Sequence, residues 1–152
     1  MKKIIIFPIF LIPWFLGLLI FNIDSSYFNN LNIPFFISSL NKLFIFLTIV
    51  YINIAISIHI IYIKHKDIKK TRTYYKLIIT NYILNQLSIF CLFTIKDYLL
   101  FFLNSITLLV STLWLYKSIK KLDKIASLFI IIYIIWSFLQ TILSISIYLT
   151  NP

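Results

Sequence analysis

Five uninterrupted apolar runs constrain this chain more than any other feature. They cover residues 4–22, 43–63, 75–95, 98–116 and 126–149. A helix rises about 1.5 Å per residue, so each run is long enough to cross a hydrocarbon layer of about 30 Å. Helices are favoured over strands because the runs do not alternate and because a backbone in lipid must satisfy its own hydrogen bonds. The sequence therefore predicts an all-α integral membrane bundle of five transmembrane helices, a single domain over residues 1–152.

The composition argues against a soluble domain. Hydrophobic residues make up 61% of the chain and charged residues 12%, which leaves too few polar side chains to coat a soluble globule. A formal net charge of +10 would suggest nucleic acid as the partner of a soluble protein. Here the basic residues form short clusters between apolar runs, a pattern typical of membrane topology. The predicted partner is the lipid bilayer of a cell membrane, and no nucleic acid is expected.

The charge distribution supports five crossings independently of hydropathy. If every run crosses, only Lys42 and Lys96 fall on one side, and the other twelve basic residues share the opposite side: Lys2, Lys3, Lys64, Lys66, Lys69, Lys70, Arg72, Lys76, Lys117, Lys120, Lys121 and Lys124. The positive-inside tendency then predicts a cytoplasmic N-terminus, with the C-terminus and the first loop, 24–41, outside. The first run resembles a secretory signal, but its length and the missing A-x-A site favour an uncleaved span.

Polar side chains inside two runs fall on single helical faces. The third run carries one such stripe and the fifth run another: Asn81, Asn85 and Ser88; Trp136, Gln140 and Ser144. Gln86 flanks the first stripe. An amide in hydrocarbon needs a partner, so both stripes are expected to face the bundle interior. Two readings stay open at this point: hydrogen bonds that join helices, or the lining of a ligand cavity.

Residues for catalysis or metal binding are scarce. All four aspartates lie in connectors or at their edges, so the bilayer holds no acid to relay protons or couple an ion. No Ser-His-Asp or paired-carboxylate arrangement is present. His59, His65 and the lone Cys91 make a poor metal site. We therefore expect no catalytic residues, no metal site and no covalently bound cofactor.

The order of these features resembles the TspO/MBR family of translocator and tryptophan-rich sensory proteins. That family has five helices and a first loop of the form Y-x-x-L-x-K-P-P-F-S-P-P, followed by a W-T-I-L-Y segment. Here Tyr27 stands near the loop tyrosine, and residues 33–39 run in register with K-P-P-F-S-P-P. Thr48, Ile49 and Tyr51 match the second segment, while Leu47 replaces its tryptophan. The resemblance covers most of the chain from Tyr27 onwards.

Two further motifs follow in the same order. In the third helix the family carries N-x-x-W-S-x-L-F-F, which Asn85 and Phe93 match while Ser88 replaces the tryptophan. In the fifth helix Tyr133 and Trp136 match. Three later residues of this helix also match the family: Leu143, Ile147 and Asn151. Three positions differ, since Ile132 replaces a proline, Gln140 an alanine and Ser144 an asparagine.

The resemblance implies a pocket that opens towards the first loop and holds a flat apolar ligand, a tetrapyrrole such as protoporphyrin or haem, or a sterol-like molecule. Carried over by position, the implied lining residues are Tyr51, Asn85, Gln86 and Trp136, with altered chemistry at Leu47, Ser88 and Gln140. Tyr27, Pro34 and Ser38 would belong to a lid. The family also implies a homodimer, although the sequence has no GxxxG face to support one.

Three functional hypotheses follow. The first is a receptor or sensor that binds such a ligand. The second is the light-dependent porphyrin breakdown associated with some relatives, which we expect to be weak or absent because Leu47 and Ser88 displace two of the tryptophans. The third is a structural or accessory membrane subunit whose polar stripes only hold helices together.

Overall fold

A computed structural model describes residues 2–151, with side chains for residues 7–67 and 69–151. Every regular element of this described backbone is helical, which confirms the predicted all-α class. In chain order the elements are α1 (Lys2–Leu11), a 3-10 turn (Ile12–Phe15), α2 (Leu16–Ile20), α3 (Ser25–Asn30), a 3-10 turn (Phe35–Ile37), α4 (Leu40–Lys64), α5 (Ile68–Ile89), a π turn (Phe90–Ile95), α6 (Tyr98–Leu122) and α7 (Lys124–Thr150).

Four stretches of the described chain are helical, long and apolar enough to span a membrane: Leu40–Lys64, Lys69–Ile95, Tyr98–Leu122 and Lys124–Thr150. They contain the last four predicted runs, and the protein is an integral membrane protein. The first apolar segment is a shorter helical piece, Phe7–Ile20. A 3-10 turn that contains Pro13 interrupts it, because proline cannot donate a helical hydrogen bond. Five crossings therefore stay a prediction.

The long helices continue beyond the apolar runs and end at polar caps. The carboxylate of Asp123 accepts from the Ala126 N–H at 2.9 Å, and that of Asp97 accepts from the Leu100 N–H at 2.9 Å. The sequence reading that placed the lysines after residue 116 in a connector was wrong. Lys117, Lys120 and Lys121 lie on the last turns of α6, because lysine is a good helix former and is favoured near a helix C-terminus.

The long helices and the first segment form a closed ring. Helix α6 packs between α5 and α7, and α7 packs against α4. The first segment closes the ring, since α1 packs against α4 and α2 packs against α5. Both predicted polar stripes face the interior: Asn81, Asn85, Ser88, Trp136, Gln140 and Ser144 are all buried. Burial of these six side chains confirms the direction that the helical period predicted.

The turn between α5 and α6 is very tight. The π turn at the end of α5 leads to Lys96, which adopts the left-handed conformation at φ 59° and ψ 35°. The Asp97 N–H then donates to the Cys91 carbonyl at 3.1 Å. A residue other than glycine seldom adopts this conformation, but it reverses the chain within two residues. The reversal brings Phe93 and Phe101 to the same end of the ring interior.

Candidate functional site

A small cavity lies inside the ring, at the end that the first loop covers. Its walls come from α4, α5, the π turn, α6 and α7, and they are mostly apolar with a polar group on one side: Leu43, Leu47, Asn85, Ser88, Ile89, Leu92, Phe93, Phe101, Trp136, Gln140 and Leu143. Five predicted ligand-binding residues thus meet at one place: Leu47, Asn85, Ser88, Trp136 and Gln140. An apolar cavity with a few convergent polar groups is the usual form of a small-molecule site.

Ser88 joins three helices on the polar side of the cavity. Its hydroxyl oxygen accepts from the Asn104 amide at 2.7 Å and from the Gln140 amide at 2.7 Å. The same hydroxyl donates to the Leu84 carbonyl at 3.1 Å. Nearby, the hydroxyls of Ser105 and Ser144 lie 2.5 Å apart and join α6 to α7. These bonds hold the cavity wall in place and satisfy groups that lipid would leave without partners.

Two donors at the cavity lack a hydrogen-bond partner among the described residues. The Asn85 side chain accepts from the Tyr51 hydroxyl at 2.8 Å, which leaves its Nδ2 group unpaired. The Trp136 Nε1 group is also buried and unpaired, while its ring stacks on Phe46 with centroids 5.9 Å apart. An indole N–H can only donate. The cavity therefore offers an acceptor-bearing guest an indole N–H and an amide beside apolar walls.

The cavity is small as it stands. Its volume is about 30 Å³, whereas sites for drug-sized molecules are usually roughly 300–1,000 Å³. One or two water molecules need roughly this much space. A flat macrocycle would enter only if the walls or the covering loop moved.

The first loop closes the cavity from above through aromatic contacts. Phe28 on α3 is fully buried and stacks on the cavity residue Phe93, with centroids 5.8 Å apart. The Tyr27 hydroxyl donates to the Tyr98 hydroxyl at 3.2 Å, and Lys96 Nζ lies 4.2 Å from the centre of the Tyr27 ring. Burial, together with the Tyr98 contact, raises the pKa of Tyr27 above its ordinary value.

The start of α3 is held by an acidic cap. The Asp24 carboxylate accepts from the Ser26 hydroxyl at 2.6 Å and from the backbone N–H groups of Ser26 and Tyr27 at 2.9 and 3.1 Å. These bonds, the Ser26 hydroxyl first, lower the pKa of Asp24. The cap fixes the orientation of the short helix that carries Tyr27 and Phe28.

The C-terminal end of α7 binds the same loop through Asn32. The Asn32 N–H donates to the Asn151 side chain at 2.9 Å, and the Asn32 carbonyl accepts from the Thr150 hydroxyl at 3.0 Å and from the Asn151 amide at 3.2 Å. The Asn32 amide also donates to the Thr150 carbonyl at 3.2 Å. We call these contacts between Asn32 and residues 150–151 the loop strap. They lie at the protein surface, where water competes for each bond.

The other predicted site residues lie outside the cavity lining. Tyr51 is absent from the cavity lining and donates the hydrogen bond to Asn85 described above. Gln86 turns away from the cavity towards the first segment, where its amide donates to the Trp14 carbonyl at 3.3 Å. Pro34 and Ser38 line a shallow outer groove, and Ser38 accepts from Lys42 Nζ at 2.7 Å. Tyr27 lies in the loop, as described.

Sequence reasoning missed Trp14. This residue is 2% exposed, and its ring lies 5.7 Å from Tyr51, 5.6 Å from Tyr82 and 6.2 Å from Tyr133 between centroids. The cluster packs against Tyr51, which holds Asn85. An aromatic residue next to Pro13, within an apolar run, was the available signal. Hydropathy alone could not separate it from the lipid-facing residues around it.

Comparison with known proteins agrees with this architecture. The model of the TspO/MBR family matches residues 4–149. The chain belongs to the TspO/MBR family. It is 28% identical to the Tryptophan-rich protein TspO of Bacillus cereus over 153 residues, which covers 99% of each chain. It is also 28% identical to the membrane protein YtaB of Bacillus subtilis over 128 residues, 84% of this chain and 82% of that protein.

Membership in the TspO/MBR family suggests a membrane protein of the sensor or receptor type. The match begins at residue 4, so it includes the first apolar segment as well as the four long helices. The segments that carried the resemblance lie in the first loop, α4, α5 and α7.

Proposed function

We propose that this protein is a membrane receptor or sensor that binds a flat apolar molecule, of tetrapyrrole or sterol type, in the cavity that α4, α5, the π turn, α6 and α7 line. The observation that carries the proposal is the buried, unpaired Trp136 N–H beside the unpaired amide of Asn85, both at the edge of an apolar cavity. Leaving such donors unpaired costs about 1–3 kcal/mol each, a cost that an acceptor on a ligand would remove.

Ligand entry, in this proposal, requires the loop to move. The cavity volume of about 30 Å³ is too small for a macrocycle, and Phe28 covers Phe93 from above. Opening the loop would expose the buried side chains of Phe28 and Ile37 and break the surface bonds of the loop strap. It would leave the packing between the long helices intact, so it costs less than opening the helix ring. The ligand would insert between Trp136 and the wall that Leu47 and Phe93 form, and its polar edge would meet the two donors.

Fluorescence titration of the full-length protein in detergent with protoporphyrin tests the proposal. We expect saturable quenching that Asn85→Leu weakens and Trp136→Phe largely abolishes. Trp114→Phe is the matched control, because Trp114 is 61% exposed on α6 and does not line the cavity. Quenching that does not saturate, or that survives unchanged in Trp136→Phe, would contradict the proposal.

A structural or accessory role without a ligand is the second candidate. The hydrogen bonds of Ser88 to Asn104 and Gln140 favour it, since they satisfy polar groups within the protein. A ligand that binds the folded state raises the melting temperature by mass action, whereas a purely structural bundle gives no such shift. The same titration followed by thermal unfolding separates the two functions.

We also propose that the first segment is a fifth crossing, with the N-terminus in the cytoplasm and the first loop outside. The helical residues from Lys2 to Ile20, which extend the apolar piece towards the N-terminus, form pieces of ten, four and five residues. They are enough for roughly 28 Å at the rise of an α-helix. Labelling of intact cells with an impermeant maleimide tests this in a Cys91→Ser background. Asn29→Cys should react from outside, whereas Lys66→Cys and a cysteine at the N-terminus should react only after lysis.

The homodimer implied by the family is likewise a proposal. Chemical cross-linking of the full-length protein in native membranes, compared at low and high expression, would test it. A dimer band that persists at low expression supports the proposal. A band that appears only at high expression contradicts it.

A further inference from the structure

A lateral groove lies between the first turns of α5 and the last turns of α6, at the opposite end of the bundle from the first loop. Its volume is about 440 Å³. The lining residues recur at spacings of three or four on both helices, so each helix contributes one face: Lys70, Thr73 and Leu77 from α5; Trp114, Lys117, Ser118, Lys121 and Leu122 from α6.

The groove is strongly basic at its mouth. Lys70, Lys117 and Lys121 line it, and no acidic residue belongs to its lining. Lys70 Nζ lies 3.9 Å from the Asp67 carboxylate, a long contact between side chains that are 78% and 50% exposed. Within the part of the chain that has described side chains, Lys117 and Lys121 form no salt bridge. Three lysines and two hydroxyl-bearing residues, Thr73 and Ser118, therefore line a space suited to a phosphate group.

The inner half of the groove is apolar. Trp114 is 61% exposed and lies one turn deeper than Lys117, while Leu77 lies on the facing side of α5. Both residues belong to the helices that are apolar enough to span the membrane. Tryptophan beside lysine is typical of the level where the acyl chains meet the headgroups. A soluble phosphate would contact only the basic half, whereas a phospholipid would contact both halves.

We propose that this groove is a binding site for an anionic phospholipid, with the phosphodiester at Lys70, Lys117 and Lys121 and an acyl chain against Trp114 and Leu77. Basic pockets between transmembrane helices at the cytoplasmic level bind such headgroups in other membrane proteins. The site is separate from the cavity under the first loop, and it does not depend on the function proposed for that cavity.

Quenching of Trp114 by brominated lipids provides the test. Trp14 and Trp136 are 2% and 3% exposed, so Trp114 is the tryptophan that lipid reaches. The full-length protein is reconstituted into phosphatidylcholine bilayers that contain either brominated phosphatidylglycerol or brominated phosphatidylcholine at the same mole fraction. We expect stronger quenching by the anionic lipid, and Trp114→Phe should remove this difference.

Charge variants distinguish a site from general attraction to a basic surface. The double variant Lys117→Gln with Lys121→Gln should lower the preference for the anionic lipid roughly fivefold per lysine. Lys69→Gln with Lys120→Gln is the matched control, since it removes two exposed charges from the same end but outside the groove. This control variant should keep most of the preference for the anionic lipid.

Three results would overturn the proposal. The first is equal quenching by the two brominated lipids in the unmodified protein. The second is an equal loss of preference in both double variants, which indicates general electrostatic attraction of anionic lipids to the basic surface. The third is loss of the preference on adding soluble glycerol phosphate, which indicates a site for a free phosphate compound instead of a lipid.

Discussion

The Tyr51 hydroxyl donates a hydrogen bond to the Asn85 side-chain oxygen at 2.8 Å, in the interior of the helix ring. Both residues are 0% exposed. The first segment lies between the helices that carry them, so this bond links α4 and α5 across the ring interior. Because the Asn85 Oδ1 atom accepts this bond, the Nδ2 group is the end of the amide that remains for a ligand.

Removing the Tyr51 hydroxyl should destabilise the protein. Tyr51→Phe leaves the buried Asn85 amide without a partner, and we expect a loss of roughly 0.6–2 kcal/mol in the free energy of unfolding. The double variant Tyr51→Phe with Asn85→Leu should recover part of this loss, because neither polar group then remains buried. Thermal unfolding in detergent measures both effects. Equal stability of Tyr51→Phe and the unmodified protein would show that the bond contributes nothing.

Releasing the loop strap should speed ligand entry more than it changes the fold. Asn151→Ala removes a donor and an acceptor that hold Asn32, and each surface bond contributes about 1 kcal/mol at most. We expect faster hydrogen exchange at residues 24–39 and a faster association phase for protoporphyrin. Asn30→Ala is the control, since Asn30 is exposed in the same loop region and lies outside the strap. Association rates unchanged by Asn151→Ala would argue for another entry path.

Much of the helical architecture could be predicted because apolar length and helical period depend on local sequence. The runs 43–63, 75–95, 98–116 and 126–149 lie within helical stretches, and the break at residues 96–97 coincides with the turn. Asn85 and Gln140 point inward because amides facing lipid would be too costly. The helical period determines which residues share a face of a helix, and the buried polar faces of α5 and α7 were predicted correctly.

Side-chain partners could not be predicted in the same way. Spacing placed Gln86 beside Asn85, but Gln86 is one residue further round the helix and meets Trp14 of the first segment instead. The convergence of Asn104 and Gln140 on Ser88 depends on how α6 and α7 rotate against α5. The cavity volume depends on the same rotations, so the sequence could name lining residues but not the space between them.

Asp123 should make stability depend on pH in the acidic range. Partial burial would raise its pKa, but the Ala126 N–H and the Lys64 ammonium, at 2.9 Å each, lower it overall. A carboxylate with a lowered pKa stabilises the folded state above the ordinary pKa of about 4, and this contribution is lost as pH falls through the lowered value. We expect Asp123→Asn to cost about 1 kcal/mol at neutral pH and almost nothing in strong acid.

Thermal unfolding of Asp123→Asn and of the unmodified protein across the acidic range measures this difference. Asparagine is itself a good N-cap, so the variant removes the charge and keeps the cap of α7. Asp67→Asn is the control, because the Asp67 side chain is 50% exposed and its lysine contact is long. A gap between Asp123→Asn and the unmodified protein that stays constant down to strong acid would contradict a role for the charge.

Any side chain at position 17 should force the Gln86 side chain to move. Gly17 is buried where α2 packs on α5, and a Cβ atom there would overlap the Gln86 side-chain oxygen and lie 3.0 Å from Ile89 Cδ1. Alanine normally favours a helix over glycine by about 1 kcal/mol, but overpacking costs about 1–3 kcal/mol. Both contacted atoms are the ends of flexible side chains, so Gln86 can move aside, and the main cost of Gly17→Ala is the 3.3 Å hydrogen bond from Gln86 to the Trp14 carbonyl. We therefore expect a melting temperature slightly below that of the unmodified protein. Adding Gln86→Ala should restore part of it, because the shorter side chain vacates the contact. If Gly17→Ala alone raised the melting temperature, moving Gln86 aside would cost less than the helix propensity that alanine adds.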